Sequence, residues 1–420
     1  MEHRKKTANL VRSCALGIVC FLAGGIWSVS SAIQNSLMSH FEVSGGRERL
    51  GVGARAIPDS LGWYAVPNTK LSSVCVDEPS IRAVEGCAAI IADWNGAIAD
   101  TKRNRLIFWG GGHAGYAGNE VYALDLEQLR MLRLTSPSLP PVRCVAALAN
   151  PIGPNSRHTY NGLAYIMDTD QMFVFGGAVY RGNDLCHPSS DPEYVGYGGR
   201  MSDTWTMDLA KLRWARRDPT KGKSRPAEEY PNLGEGVVSD YDPVTRKTYV
   251  GDSETWYSYD SRTNEYKQLN GRASFSYLMT GAIDPKRRLF ILFGGGQARA
   301  FDLQNNSMLN WDRETKGCEA VQNTNYPGIA YDPVQKRSVA WAGGDTVYVF
   351  EATSKECTPA SYPGGPGKAQ KNGTLGRFRY FPALGVFALV NDWQQDAYLL
   401  RMTPKADQGR ALLASPKGLP

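Results

Sequence analysis

The sequence predicts an all-β fold assembled from one repeated antiparallel unit, and three observations carry that reading. The 44 Gly, 21 Tyr and 10 Trp among 420 residues favour glycine turns and aromatic strands over helices. Six segments open on a glycine followed by a short apolar run and, in most, an aspartate turn. They read "NGAIADTKRNRLIFWGGG" from Asn95, "NGLAYIMDTDQMFVFGG" from Asn161, "EGVVSDYDPVTRKTYVGD" from Glu235, "TGAIDPKRRLFILFGGG" from Thr280, "PGIAYDPVQKRSVAWAGG" from Pro327 and "LGRFRYFPALGVFALVND" from Leu375. Their leading glycines, Gly96, Gly162, Gly236, Gly281, Gly328 and Gly376, are 66, 74, 45, 47 and 48 residues apart, and the later spacings approach the roughly 50-residue period of one class of blade repeats. Finally, each segment is followed by an aromatic or apolar strand ("EVYALDL", "DTWTMDL", "TWYSYD", "ARAFDL", "TVYVFE", "DAYLLRM") and then a ragged fourth such as "LRWARRD" or "NEYKQL". Four antiparallel strands per repeat make a propeller blade, so the expectation is six blades, with seven the alternative count.

Taken in chain order, residues 1–32 have the layout of a signal peptide, with Arg4, Lys5, Lys6 and Arg12 ahead of an apolar stretch from Cys14 to Trp27. Ser30 and Ala32 offer small residues for cleavage after Ala32, and a retained membrane anchor is the alternative. Residues 33–61 read as a linker and residues 62–403 as the propeller. Within each repeat the turn aspartate accepts backbone N–H groups, while Pro243, Pro285 and Pro333 fix the next φ. The last repeat lacks an outer strand, because after "AYLLRM" the chain runs into a polar tail, 404–420. Residues 62–71, "GWYAVPNTKL", are expected to supply it, with Trp63 in register with the tryptophan of "LRWARR", closing the ring without an open edge.

The apolar strand ending in Gly-Gly, followed by a Tyr- or Trp-bearing strand ending in Asp, resembles the kelch and galactose-oxidase-central-domain family over roughly residues 62 to 403. Gly251-Asp252 and Asn391-Asp392 depart from the double glycine. The resemblance implies a fold more than an activity, since that family includes scaffolds, lectin-like binders, sugar mutarotases and copper oxidases.

Propeller topology locates the candidate site. The loop before the innermost strand and the loop between the second and third strands open on one face. His113 and Tyr116 lie in a loop of the second kind, and "PNSRHTYNG" puts Arg157, His158 and Tyr160 in one of the first kind. The same rule collects Trp94, Asn95, Glu229, Tyr230, Glu235, Tyr277, Gln297, Asn325, Tyr326, Arg377, Asn391, Asp392 and Trp393 on that rim. His113, His158, Tyr160 and Arg157 are the candidate catalytic residues. Tyr116, Trp94, Asn95, Tyr277, Tyr326, Arg377 and Trp393 are the candidate ligand contacts. Aromatic faces for stacking, with amides and guanidinium for hydroxyls and carboxylates, suit a carbohydrate or an anionic polysaccharide. A polyuronate lyase would use Arg157 as the neutralising cation with His and Tyr as base and acid, and a mutarotase would need less. A protein partner is the non-carbohydrate alternative. A copper-radical oxidase is disfavoured, because the Tyr-His dipeptide of the family's oxidases is missing. No cofactor and no metal are expected.

Three further features complete the reading. Lys102, Arg103, Arg246, Lys247, Lys286, Arg287, Lys336 and Arg337, on the turns of the opposite face, would form a basic crown. The insertion in the second repeat carries Cys186 and His187. Loss of residues 1–32 removes four basic residues and one acidic one, so the net charge falls from +6 to +3, too balanced for a nucleic-acid groove. It also leaves Cys75, Cys87, Cys144, Cys186, Cys318 and Cys357, an even set without CxxC spacing that predicts three disulfides between sequence neighbours in a periplasmic or secreted protein.

Overall fold

The leading glycines fall within two residues of the start of the innermost strands, and from there the repeats fold as their periodicity demands. A computed structural model of the chain describes residues 57–149, 151–182, 200–217, 231, 233, 236–269 and 274–404. The expected signal segment (residues 1–32) and most of the expected linker, residues from 405 on, the insertion bearing Cys186 and His187, and Glu229, Tyr230 and Glu235 lie outside the described residues.

Strand β1 (Gly62–Val66) precedes blade I, formed by β2 (Ala97–Asp100), β3 (Arg105–Phe108), β4 (Tyr122–Asp125) and β5 (Arg130–Arg133). A two-stranded ribbon, β6 (Ala147–Ala149) and β7 (Ile152–Pro154), and the short β8 (Arg157–His158) lead into blade II: β9 (Leu163–Ile166), β10 (Gln171–Val179), β11 (Arg200–Asp208) and β12 (Arg213–Arg216). Blade III is β13 (Val238–Asp242), β14 (Lys247–Gly251), β15 (Trp256–Asp260) and β16 (Glu265–Leu269). Blade IV is β17 (Thr280–Asp284), β18 (Leu289–Gly294), β19 (Gln297–Asp302) and β20 (Ser307–Asn310). Blade V is β21 (Gly328–Asp332), β22 (Arg337–Trp341), β23 (Thr346–Glu351) and β24 (Glu356–Ser361). Blade VI has three strands of its own, β25 (Phe378–Phe381), β26 (Val386–Leu389) and β27 (Ala397–Arg401), and takes β1 as its outer strand. The closure is antiparallel and in the expected place, with Gly62 opposite Arg401, Trp63 opposite Leu400 and Val66 opposite Ala397. Six blades therefore close into a ring.

Because each innermost strand touches the next, in the order β2, β9, β13, β17, β21, β25 and back to β2, neighbouring blades share their apolar faces. Six buried clusters result, one per blade interface. Trp109, Trp205, Trp256 and Trp341 are fully buried there, and truncating any one to alanine costs about 3–5 kcal/mol. The turn aspartates behave as the sequence implies. Asp284 Oδ1 accepts the N–H groups of Lys286 and Arg287, and Asp332 Oδ1 those of Val334 and Gln335.

The channel differs at its two ends. At the end where the innermost strands begin, Tyr160, Tyr326 and Leu375 are buried together with Trp94 and Leu278 packed against them, a plug drawn from five blades. Hydrogen bonds between blades lock it: Tyr160 N to Trp94 O (2.7 Å), Tyr326 N to Leu278 O (2.8 Å) and Thr374 N to Tyr326 O (2.8 Å). At the turn end a cavity of about 230 Å³ remains, lined in three layers. Ile98, Ala164, Asp240, Ala282, Ala330 and Arg379 form the deepest, then Ala99, Tyr165, Tyr241, Ile283, Tyr331 and Tyr380, then Thr101, Met167, Pro243, Pro285, Pro333 and Pro382 at the mouth.

Cys75–Cys87 and Cys318–Cys357 are disulfides, as expected of sequence neighbours, and Cys144 is also disulfide-bonded. Such bonds fit an oxidising, non-cytoplasmic setting. Among the described residues no helix is long and apolar enough to cross a membrane.

Candidate functional site

His158 owes its position to an extension of blade II beyond the regular repeat. Strand β10 runs past its pairing with β9, bulges between Phe175 and Gly177, and pairs with β8, setting Ala178 opposite His158 and Val179 opposite Arg157. The approach is close enough to require glycine: at Gly177, with φ +101°, a Cβ would fall 2.2 Å from the His158 carbonyl oxygen. The glycine run before His113 has the same cause. A Cβ on Gly112, φ +91°, would lie 2.4 Å from His158 Nε2 and 2.6 Å from Asp93 Oδ2. The glycines therefore admit the loop to the surface of the His158 and Asp93 side chains.

The segment between β1 and β2 forms the other wall. The Cys75–Cys87 disulfide and short helical turns at Pro79–Arg82 and Ala89–Ala92 fold it against the His113 loop, where Glu85 N donates to Gly115 O (2.9 Å) and Ala117 N to Ile81 O (3.0 Å). This delivers Asp93, whose Oδ2 lies 3.4 Å from His158 Nε2. The ring centroids of His113 and His158 are 4.6 Å apart, that of Trp94 is 5.0 Å from His158, and that of Tyr160 is 6.1 Å from it. His158 and Asp93 are buried while His113 and Trp94 are half-buried, so the pair of rings opens outward through His113. Glu85, an exposed residue beside them, has its pKa raised by partial desolvation of the carboxyl and by the Asp93 charge, against the opposing pull of His158. An Asp–His pair with a second imidazole in ring contact is equipped to accept, hold and return a proton.

Topology thus brought His113, His158, Tyr160 and Trp94 together, and the packing gave several expected ligand contacts structural work instead. Arg157 is fully buried, and its five N–H donors are all engaged: Nε with Asn155 O, Nη1 with Gly176 O and Asp203 Oδ1, Nη2 with Ala146 O and Asp203 Oδ2. It has no donor left for a ligand. Arg377, also fully buried, donates to the carbonyls of Val390, Asn95 and Gly373, and burial lowers its pKa. Asn95 bonds Ala89 O and Thr159 N. Tyr116 donates to Glu120 Oε1, as Tyr122 does at 2.7 Å, inside the blade I–VI core. Tyr326 and Tyr160 belong to the plug. Trp393 packs half-buried on the blade I–VI core, and Tyr277 is exposed in the blade IV loop. Neither is among the rings that touch His158.

Asp93 and Glu85 were missed by the sequence reading. Asp93 had a signal, lying directly before the Trp-Asn-Gly that opens the first repeat, but its partner is 65 residues away. The basic crown is corrected as well. Arg103 pairs with Asp100 and Asp170, Lys102 with Asp170, Arg246 with Asp168, Arg287 with Asp284 and Glu351, and Arg337 with Asp332. Those five cations are largely neutralised within the turns, whereas Lys247, Lys286 and Lys336 form no ion pair among the described residues, so the crown is reduced to these lysines.

These features define a six-bladed β-propeller with one irregular, histidine-bearing face. Compared with protein-family models and with curated proteins, the chain matches none.

Proposed function

We propose that this propeller binds a carbohydrate on the face where His113, His158, Asp93 and Trp94 meet. The observation that carries the reading is the half-open imidazole pair backed by Asp93 and flanked by an indole. An indole face suits the C–H face of a pyranose, while imidazole nitrogens and carboxylates suit its hydroxyls. With Arg157 and Arg377 occupied and two carboxylates beside the rings, a neutral sugar fits this charge balance better than a uronate. The same facts weaken the lyase reading, which needs a free cation for the substrate carboxylate. The Asp93–His158 pair favours one catalytic reading, proton exchange at a sugar hemiacetal as in mutarotation.

The test is a glycan panel with neutral and uronate oligosaccharides, titrated against the protein and its His113→Ala and Trp94→Ala variants. Loss of an imidazole hydrogen bond or of the stacking indole weakens binding by about 0.5–1.5 kcal/mol, roughly 2- to 13-fold, with melting temperature nearly unchanged. Anomer exchange measured by NMR separates catalyst from binder. No binding to any glycan, or variants that bind normally, would reject the proposal in favour of a protein-docking role.

A further inference from the structure

The deepest layer of the turn-end cavity is aliphatic in four blades and charged in two, with Asp240 in blade III and Arg379 in blade VI. In the ring order these two blades are diametrically opposed. Each charge is tethered to its own wall. Asp240 accepts from Tyr241 N (2.9 Å) and Ile283 N (2.8 Å), while Arg379 donates through Nε to Ala97 O (3.3 Å) and Gly376 O (3.1 Å). Only 8% of Arg379 is exposed, and its Nη groups donate to no described residue. Gly376 leaves them room, since a Cβ there would lie 2.8 Å from Nη2. The two side chains influence each other electrostatically, yet burial still raises the Asp240 pKa and lowers that of Arg379. Above them Tyr165 donates its hydroxyl to Asp170 (3.2 Å), and Tyr241, Tyr331 and Tyr380 have their pKa values raised by burial and by the charges of Asp168, Asp284 and Asp332. Ring carbon is what remains to line the lumen.

We propose that the turn end of the channel is a second binding site, taking one small carboxylic acid that carries a hydrogen-bond donor, a hydroxyl or an ammonium, at its other end. The carboxylate takes the Nη groups of Arg379, the donor meets Asp240 across the lumen, and the short apolar body lies against the tyrosine rings. Such a ligand offsets the buried Arg379 charge and the half-buried Asp240 charge at once. The plug closes the far end, so the site is a blind funnel entered between Thr101 and the prolines of the mouth.

Calorimetric titration of the full chain with 4-hydroxybutyrate, 4-aminobutyrate, butyrate and butyramide tests this. The hydroxy or amino acid should bind, butyrate more weakly, and the amide not at all. Arg379→Met should weaken binding about 10- to 100-fold, and Asp240→Asn should remove the preference over butyrate. Thr101→Trp stoppers the mouth without touching either charge, so it should abolish binding even if Arg379→Met fails to fold. His113→Ala, expected to weaken glycan binding, should leave the heat of acid binding as it is, and this separates the cavity from the histidine face. No heat with any acid up to about 10 mM, equal binding of butyrate and butyramide, or binding that survives Thr101→Trp would overturn the proposal.

Discussion

The two faces of the propeller are built from the same repeats and obey different rules. On the turn face, contacts are local and recur: an aspartate ends the innermost strand, binds N–H groups two and three residues on, and usually gains an arginine from its own or a neighbouring turn, as Asp284 does with Arg287 and Asp242 with Arg288. On the histidine face, contacts are long-range and single-copy. Arg157 reaches Asp203, His158 meets Asp93, and glycines in left-handed conformations let loops touch. The difference shows where a repeat protein can acquire a site: at the end where its chain leaves the repeat, since the other end is committed to closing turns.

Carboxylates record the contrast. Asp170 is held well below its ordinary value by hydrogen bonds from Arg103, against the cost of burial and with help from Lys102. Glu120, beneath the His113 loop, is pushed up by burial despite the hydroxyls of Tyr116 and Tyr122. Asp332 on the turn face, like Asp240 in the turn-end cavity, is pushed up, because burial outweighs its N–H donors and Arg337.

The contrast predicts a hierarchy of damage. Arg157→Met should do the most, destabilising the fold by about 3–5 kcal/mol in urea titration, because it strands the buried Asp203 carboxylate. Adding Asp203→Leu should recover much of that loss. If the single variant is as stable as wild type, the histidine face is not held by this pair. Gly112→Ala comes next, at about 1–3 kcal/mol, since it adds strain at φ +91° to a collision with His158 and Asp93. Gly296→Ala, at φ +80° with open space around its Cβ, isolates the backbone part and should cost less. Equal losses at the two positions would mean that the close approach to His158 contributes nothing.

Smaller effects appear as slopes with pH. With the Glu120 pKa raised in the folded state, the folded protein retains a proton that the unfolded chain has released, so its contribution to stability falls as pH rises above 4.5. Glu120→Gln should flatten that slope in melting curves. Asp170 has the opposite sign: its contribution is present above 3.8 and is lost as pH falls below it, and Asp170→Asn should flatten the acid limb. At neutral pH that substitution should cost about 1–2 kcal/mol, because Arg103 holds Asp170 through two hydrogen bonds in a partly buried pair while the Lys102 contact is mostly exposed. The least effect is expected from Lys286→Ala, within about 0.5 kcal/mol, and a larger loss would mean that the turn face holds a charge network beyond its local pairs.

The sequence by itself determined what depends on neighbours along the chain: the repeat, the number of blades, the aspartate turns, the disulfides between adjacent cysteines and, through a missing strand and an unplaced one, the closure of β1 on β27. It also placed His113 and His158 on one face, because strand alternation fixes which loops open together. Only the tertiary structure decided which polar residues on that face are free. Arg157 and Arg377 have the composition of ligand contacts, yet the first is consumed by a carboxylate 46 residues away and the second by a carbonyl 282 residues away. Asp240 and Arg379 lie 139 positions apart and oppose each other only because six blades close into a ring. The physical reason is common to all of these. Backbone pairing is set by short-range pattern, whereas a buried polar side chain takes whatever donor or acceptor the closed fold brings within about 3 Å, and nothing in local sequence encodes that partner.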